Sequence, residues 1–319
     1  MIALIVRRIA AAVPLLLLIS IISYALMGLS PGGPTAIFQQ QARQLSPAAR
    51  AEFIHTLGLD KPWYVQYVYW LGNLVFHGSL GVSYVDQRPV VVKILEKMPV
   101  TLEMLSIALV CTILIAIPIG IYSAVRRGSA FDYAATVLAF ASYGMPVFWL
   151  SVIAIDLFAA HLHWFPASGI DAVGHERDPV DRLYHLILPA AVIMTVSLAS
   201  WIRYQRAAML NVLSELYLRT ARSKGLSERV VIFKHALRNA LLPTITLFGL
   251  NLPALFGGAF FVEFVFSIPG MGYLGINAIF QRDYPTVMAL TMITAVLVVL
   301  GNLLADIGYG LADPRIAYD

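Results

Sequence analysis

Six stretches of about twenty apolar residues, each long enough to cross a bilayer core of about 30 Å as a helix, constrain this chain more than any other feature. They run approximately from Ile9 to Leu29, Met104 to Val125, Tyr133 to Ala159, Leu183 to Ile202, Leu241 to Phe264 and Val287 to Tyr309. Lipid offers no hydrogen bonds to a backbone, so spans of this kind fold as helices, and the expectation is an all-α polytopic membrane protein with six transmembrane helices. Composition points the same way. Hydrophobic residues make up 59% of the 319 and charged residues 13%, too little charge to cover a water-facing surface. Collagen, coiled coil and disorder fail on the same numbers. The net charge of +4 does not mark a nucleic-acid partner, because the basic residues collect beside apolar segments. The single cysteine, Cys111, lies within an apolar run and excludes both an intrachain disulfide and a cysteine-based zinc site.

Lysine and arginine set the orientation. With a cytoplasmic N-terminus, the inside segments hold Arg7, Arg8, Arg126, Arg127, eight basic residues from Arg203 to Arg238, and Arg315, thirteen in all. The short outer loops hold only Arg177, Arg182 and Arg282. Both termini are therefore expected in the cytoplasm. The first apolar stretch is too long for a signal peptide and reads as an uncleaved anchor. The expected organisation is an anchor over 1–30, an extracytoplasmic segment with short helices over 31–100, a five-helix core over 101–312 that includes a cytoplasmic loop over 206–240, and a cytoplasmic tail over 313–319. Aromatic residues recur in the outer segment from Trp63 to Phe76, and both a small folded cap and an interfacial amphipathic helix fit them.

The acidic residues near the spans are Glu103, Asp156, Glu263 and Asp306, each within about two turns of a span end. An ion-coupled carrier normally places its ligands at mid-depth, so that class loses weight. A P-loop needs Gly-Lys followed by Ser or Thr, and none of Lys61, Lys93, Lys97, Lys224 and Lys234 follows a glycine. His161, His163, Asp171 and His175 share one outer loop, but without an HExxH pattern they read as interfacial side chains. No catalytic, cofactor or metal residue is assigned.

The stretch ELYLRTARSKGLSERVVIFKHALRNALLP, from Glu215 to Pro243, interrupts the apolar pattern for long enough to hold two short helices. Gly225 suits the left-handed end of the first, and Ser227 can cap the second with Glu228 in its first turn. Val230, Phe233, Leu237 and Leu241 then fall at spacings of three and four on one apolar face.

That stretch resembles the ATPase-coupling (EAA-type) loop of bacterial ABC-transporter permeases, in the form found in the dipeptide and oligopeptide (DppB/OppB-like) family. The resemblance covers nearly the whole chain: VRRI at the start, LGLDKPWYVQYVYWLGNL, GSLGVSY, MPVTLEM, GGAFFVEFVFSIPGMG and the terminal LADPRIAYD. Arg219 replaces the first glutamate of the general signature and Arg238 stands where many permeases have proline; Arg-Thr-Ala is familiar in the peptide subgroup. The resemblance implies a type I ABC importer permease in the bacterial inner membrane, half of a pathway completed by a second homologous permease. It further implies two cytoplasmic ATP-binding subunits that hold ATP and Mg, an extracytoplasmic solute-binding protein, and peptide cargo moved by alternating access. Leu218, Arg219, Thr220, Ala221, Arg222, Ser223, Lys224, Gly225 and Leu226 are the expected ATPase-coupling residues. Related permeases carry nickel, glutathione or other small solutes, and a self-contained channel or carrier is the alternative of another class.

Ser267-Ile268-Pro269-Gly270 reads as a turn opening an outer re-entrant or surface element. Glu263, Pro269, Gly270 and Gly272 are its gate or turn candidates, with Glu263 expected to pair with an outer base or line the entrance. Pro118, Pro146, Pro189, Pro243 and Pro253 fall in or beside spans as packing kinks, and Gly257 with Gly258 permits close helix approach.

Overall fold

The computed structural model describes residues 2–30, 55, 60–175, 178–241, 244 and 259–312. Among them there is no β-strand, only an isolated bridge between Val82 and Pro89. Four helices are long and apolar enough to cross a membrane, in the ranges Val6–Leu29, Val90–Val125, Pro179–Leu213 and Tyr284–Leu304. A fifth candidate is a bent pair, Ala130–Gly144 with Val147–His161. Most of the expected span from Leu241 to Phe264, with Pro243, Pro253, Gly257 and Gly258, lies outside the described residues, as does the side chain of Asp306.

The chain divides into two compact units, one built from residues 2–99 and 270–299 and the other from residues 100–269 and 300–319. In the first unit, α1 (Ile2–Leu29) is joined by α2 (Trp63–His77). Tyr67 faces inward, its hydroxyl 2.9 Å from Ser20 Oγ, and the rings of Tyr24, Tyr67 and Trp70 pack together. The other face of α2 leaves Tyr64, Val68, Val75 and Phe76 exposed, and Gly78 at φ +62° ends the helix. The following loop is fastened to the start of the last helix by Asp283. This buried carboxylate accepts from Ser83 Oγ at 2.6 Å, the Tyr84 N–H at 2.9 Å and Thr286 Oγ1 at 2.6 Å. Lys93 lies 3.0 Å from Asp86, and although burial pushes the Asp86 carboxyl up, the hydrogen bonds from Lys93 and Ser83 outweigh it and hold the group below its ordinary value.

The helix α3 (Val90–Val125) begins 14 residues before the expected second span, which started at Met104. Its 36 residues extend about 54 Å, well beyond a bilayer core. Pro99 and Pro118 sit inside it without breaking it, since Ile94, Val100, Met104 and Ala116 are all buried and packing holds the helix together. Its first turns pack Val90 and Ile94 against Met271, Ala289 and Leu290.

The expected third span is corrected more strongly. Instead of one helix from Tyr133 to Ala159, the chain makes α4 (Ala130–Gly144), a 104° bend, and α5 (Val147–Ala154) continuing as a π-helix over Ile155–His161. Pro146 explains the break: the residue before a proline is driven out of the helical region, and Met145 sits at φ −87°, ψ 126°. By contrast Pro189 lies within an unbroken α6 (Pro179–Leu213), whose start is capped by Asp178 accepting from the Val180 N–H.

In the second unit, Met104, Leu105 and Ala108 of α3 meet Leu186, Leu188, Val192 and Ile193 of α6, with Val262, Phe266 and Ile268 closing the core. Helix α4 is stapled to α6 by charge. Arg206 donates from Nε and Nη2 to the two Asp132 oxygens at 2.6 and 2.8 Å. Asp132 also accepts from the Gly128 N–H, while Ser129 Oγ accepts from the Asp132 N–H, a reciprocal cap at the start of α4.

Candidate functional site

Between α6 and residue 241 the chain forms a hairpin of short helices. The first, α7 (Leu216–Ser223), ends in a Schellman turn: the Leu226 N–H reaches the Ala221 carbonyl and the Gly225 N–H the Arg222 carbonyl, with Gly225 at φ +79°. The glycine expectation therefore matches the backbone. The capping expectation does not, because the Ser227 side chain makes no cap bond. Glu228 instead turns back to Arg222, accepting from Nε at 2.7 Å and Nη2 at 3.4 Å across the turn.

The second arm is also corrected. It starts as α8 (Glu228–Val230), widens to a π-helix over Val231–Ala236 and returns to α9 (Leu237–Ala240). A wide turn brings residues five apart onto one face, so the buried set is Val231, Ala236 and Ala240, not Val230, Phe233 and Leu241. Phe233 is 58% exposed. Asn239 Nδ2 donates to the Tyr217 hydroxyl at 2.7 Å and joins the two arms.

The candidate residues divide by burial. Leu218 is fully buried and Ala221 nearly so, three apart on one face of α7. They enter a core with Ile121 and Ala124 from the end of α3, Ala208 and Met209 from α6, and Val231, Ala236 and Ala240 from the second arm. Arg219, Thr220, Arg222, Ser223, Lys224, Gly225 and Leu226 are exposed, and the Thr220 and Ser223 hydroxyls donate back to their own helix. Exposed Leu226, Val230 and Phe233 add an apolar component. The arrangement can receive a partner on one side and is keyed on the other to the ends of two membrane-length helices.

The second set of candidates is partly brought together. Residues 259–265 are helical, and the fully buried Glu263 accepts a hydrogen bond from Thr101 Oγ1 at 2.6 Å. The Glu263 carbonyl also accepts from the Ile268 N–H at 2.8 Å, closing a turn in which Ser267 has φ +53°. The Phe266 carbonyl accepts from the Gly169 N–H at 3.0 Å. Gly270 begins α10 (Met271–Phe280), in which Gly272 is buried. Pro269 and Gly270 lie either side of the boundary between the units.

Glu103 accepts from Arg182 Nε at 2.6 Å. Asp156 is exposed beside His161, and His163 bonds the His161 carbonyl. Among the described residues no group of three or more His, Cys, Asp and Glu is disposed to hold a metal.

The sequence reading passed over the Asp132–Arg206 staple, whose members are 74 residues apart. The one local signal was Ser129 followed three residues on by Asp132 just before an apolar run.

The chain is similar to known proteins along its whole length. Residues 116–318 match the family model described as the binding-protein-dependent transport system inner membrane component, and residues 1–105 match the N-terminal model of the same kind of protein. The chain is 45% identical over 319 residues to the oligopeptide transport system permease protein AppB of Bacillus subtilis (strain 168), covering all of both chains. It is 40% identical to the di/tripeptide transport system permease protein DppB of Pseudomonas aeruginosa (strain UCBPP-PA14) and 38% identical to the dipeptide transport system permease protein DppB of Escherichia coli (strain K12). Each of those alignments covers all of this chain and 99% of the relative.

Proposed function

The chain belongs to the family of binding-protein-dependent transport system inner membrane components, and on that premise we propose that it is the permease subunit of an ATP-driven importer of peptides. The names of its relatives, oligopeptide, di/tripeptide and dipeptide permeases, support peptide cargo. It works beside a second homologous permease, each forming half of the pathway. Two cytoplasmic ATP-binding subunits hold ATP and Mg, and an extracytoplasmic binding protein delivers the cargo. Six spans with both termini in the cytoplasm complete the arrangement, with residues 31–100 on the outer side.

The observation that carries the mechanism is the two-faced helix α7. Arg219, Thr220, Arg222, Ser223, Lys224, Gly225 and Leu226 form the surface that meets an ATPase, while Leu218 and Ala221 key that surface into the ends of α3 and α6. A push on α7 is then delivered to two long helices as rigid-body motion, the form of movement alternating access requires. Glu263, Pro269, Gly270 and Gly272 serve as the outer turn that rearranges as the pathway opens, and the Thr101–Glu263 bond is a contact for that motion to break.

ATP chemistry in this reading belongs entirely to the partners. The chain purified alone is expected to show no ATP hydrolysis, and stoichiometric hydrolysis by a preparation free of ATPase subunits would overturn the assignment.

A further inference from the structure

Along the packed faces of α4 and α6 runs a groove of about 230 Å³. Its floor is made by Ala139 and Ala199, whose small side chains leave the two helices a channel, and its rim by Phe140 and Tyr143, which are 60% and 68% exposed. Arg203 and Arg206 stand at one end. The two arginines are not equivalent. Arg206 is held by both oxygens of Asp132, which cancels its charge and leaves that carboxylate no oxygen free of the guanidinium. Arg203 has no carboxylate partner among the described residues; its guanidinium lies over the Tyr204 ring at 5.6 Å. Among the described residues the groove's lining therefore carries one positive charge without a carboxylate partner and no free carboxylate to meet an ammonium group.

Length fits as well as charge. The groove's lining on α4 runs from Thr136 to Tyr143, seven residues on, about 10 Å at 1.5 Å per residue. That lies within the depth of one leaflet, about half of a 30 Å hydrocarbon core. Arg203 directly follows the apolar stretch ending at Ile202, which puts its charge at the level of the headgroups.

We propose that this groove is a binding site for an anionic phospholipid of the cytoplasmic leaflet, with the phosphodiester on Arg203 and an acyl chain against Ala139, Phe140 and Tyr143. Charge selects the lipid: a headgroup with a net charge of −1 neutralises Arg203, whereas a zwitterionic headgroup brings an ammonium that meets no free carboxylate. Basic pockets between membrane helices on the cytoplasmic side are the general setting for such recognition. The leaflet assignment rests on the orientation proposed above.

The test is native mass spectrometry of the assembled transporter, delipidated and then exposed to phosphatidylglycerol or phosphatidylethanolamine vesicles without cargo or ATP. One phosphatidylglycerol is expected to be retained by the parent. Arg203→Gln should lower retention about fivefold, the effect of one basic residue near a charged surface. Ala139→Leu, which fills the floor without touching charge, should lower it too, while Arg238→Gln, exposed on α9 and outside the groove, should not. Equal retention of phosphatidylethanolamine, an equal loss in Arg238→Gln, or displacement of the lipid by millimolar inorganic phosphate would each overturn the site. So would unchanged retention in both groove variants, and loss of the partner permease from those variants would mark the groove as a protein interface instead. Retention is read without transport, so a different cargo would leave this result intact. An inverted orientation would show separately in thiol labelling.

Discussion

At Gly225 the φ of +79° meets open space: nothing lies within 4 Å of where a Cβ would stand. Any penalty for substitution is therefore backbone strain alone, of roughly 1–2 kcal/mol for an ordinary residue and more for a β-branched one. Gly225→Val is expected to reduce peptide uptake and cargo-stimulated ATPase activity together while leaving membrane levels near parental. Gly225→Asn, which tolerates the left-handed region, should retain most of both. Equal activity of all three forms in reconstituted vesicles would remove this turn from the coupling element. Leu218 tests the opposite face. Truncating this fully buried side chain to alanine should cost about 2–5 kcal/mol locally and loosen the tie between α7 and the long helices. The expected phenotype is an assembled complex whose ATPase activity no longer follows cargo, read by comparing basal and cargo-stimulated hydrolysis.

Among the elements, the loop over 79–90 bound by Asp283 and Lys93 carries a pH signature. Asp86 titrates below its ordinary value, so its contribution is complete at neutral pH and is lost as pH falls below about 4. Protection of the 79–90 loop from proteolysis should fall in that range, and Asp86→Asn should remove that dependence. The helical hairpin shows why some elements were legible in the sequence and others were not. A glycine between two polar helical runs announces its own backbone, and Gly225 stands where that reasoning put it. The second arm obeyed a different period. Spacings of three and four select Val230, Phe233, Leu237 and Leu241; Leu237 does pack against the core, but the fully buried positions are Val231, Ala236 and Ala240, and two of these are alanines that no apolar pattern singles out. Apolarity does not encode whether a helix bonds four or five residues ahead. Pro146 was visible as a possible kink, yet the size of its 104° bend was not, because the angle depends on what each half packs against. Pro99 and Pro118 show the converse, prolines whose helix does not yield.

For the whole molecule, the apolar periodicity identified the membrane class and the motifs identified the family, but a staple such as Asp132–Arg206 joins residues too distant for any local pattern to pair. Orientation is open to a direct check on the full chain in intact cells. Single cysteines at Ser129 and Ser223 should resist a membrane-impermeant thiol reagent, and one at Ser168 should react; labelling at Ser223 from outside would invert the topology. The central claim, that this chain is a peptide pathway driven by ATPases on other chains, is tested most directly by uptake of a labelled peptide into proteoliposomes containing the chain, its partner permease and both ATPase subunits. With binding protein outside and ATP inside, accumulation is expected, and it should vanish when either the ATPases or this chain is left out. ATP-independent accumulation by this chain alone would contradict the account.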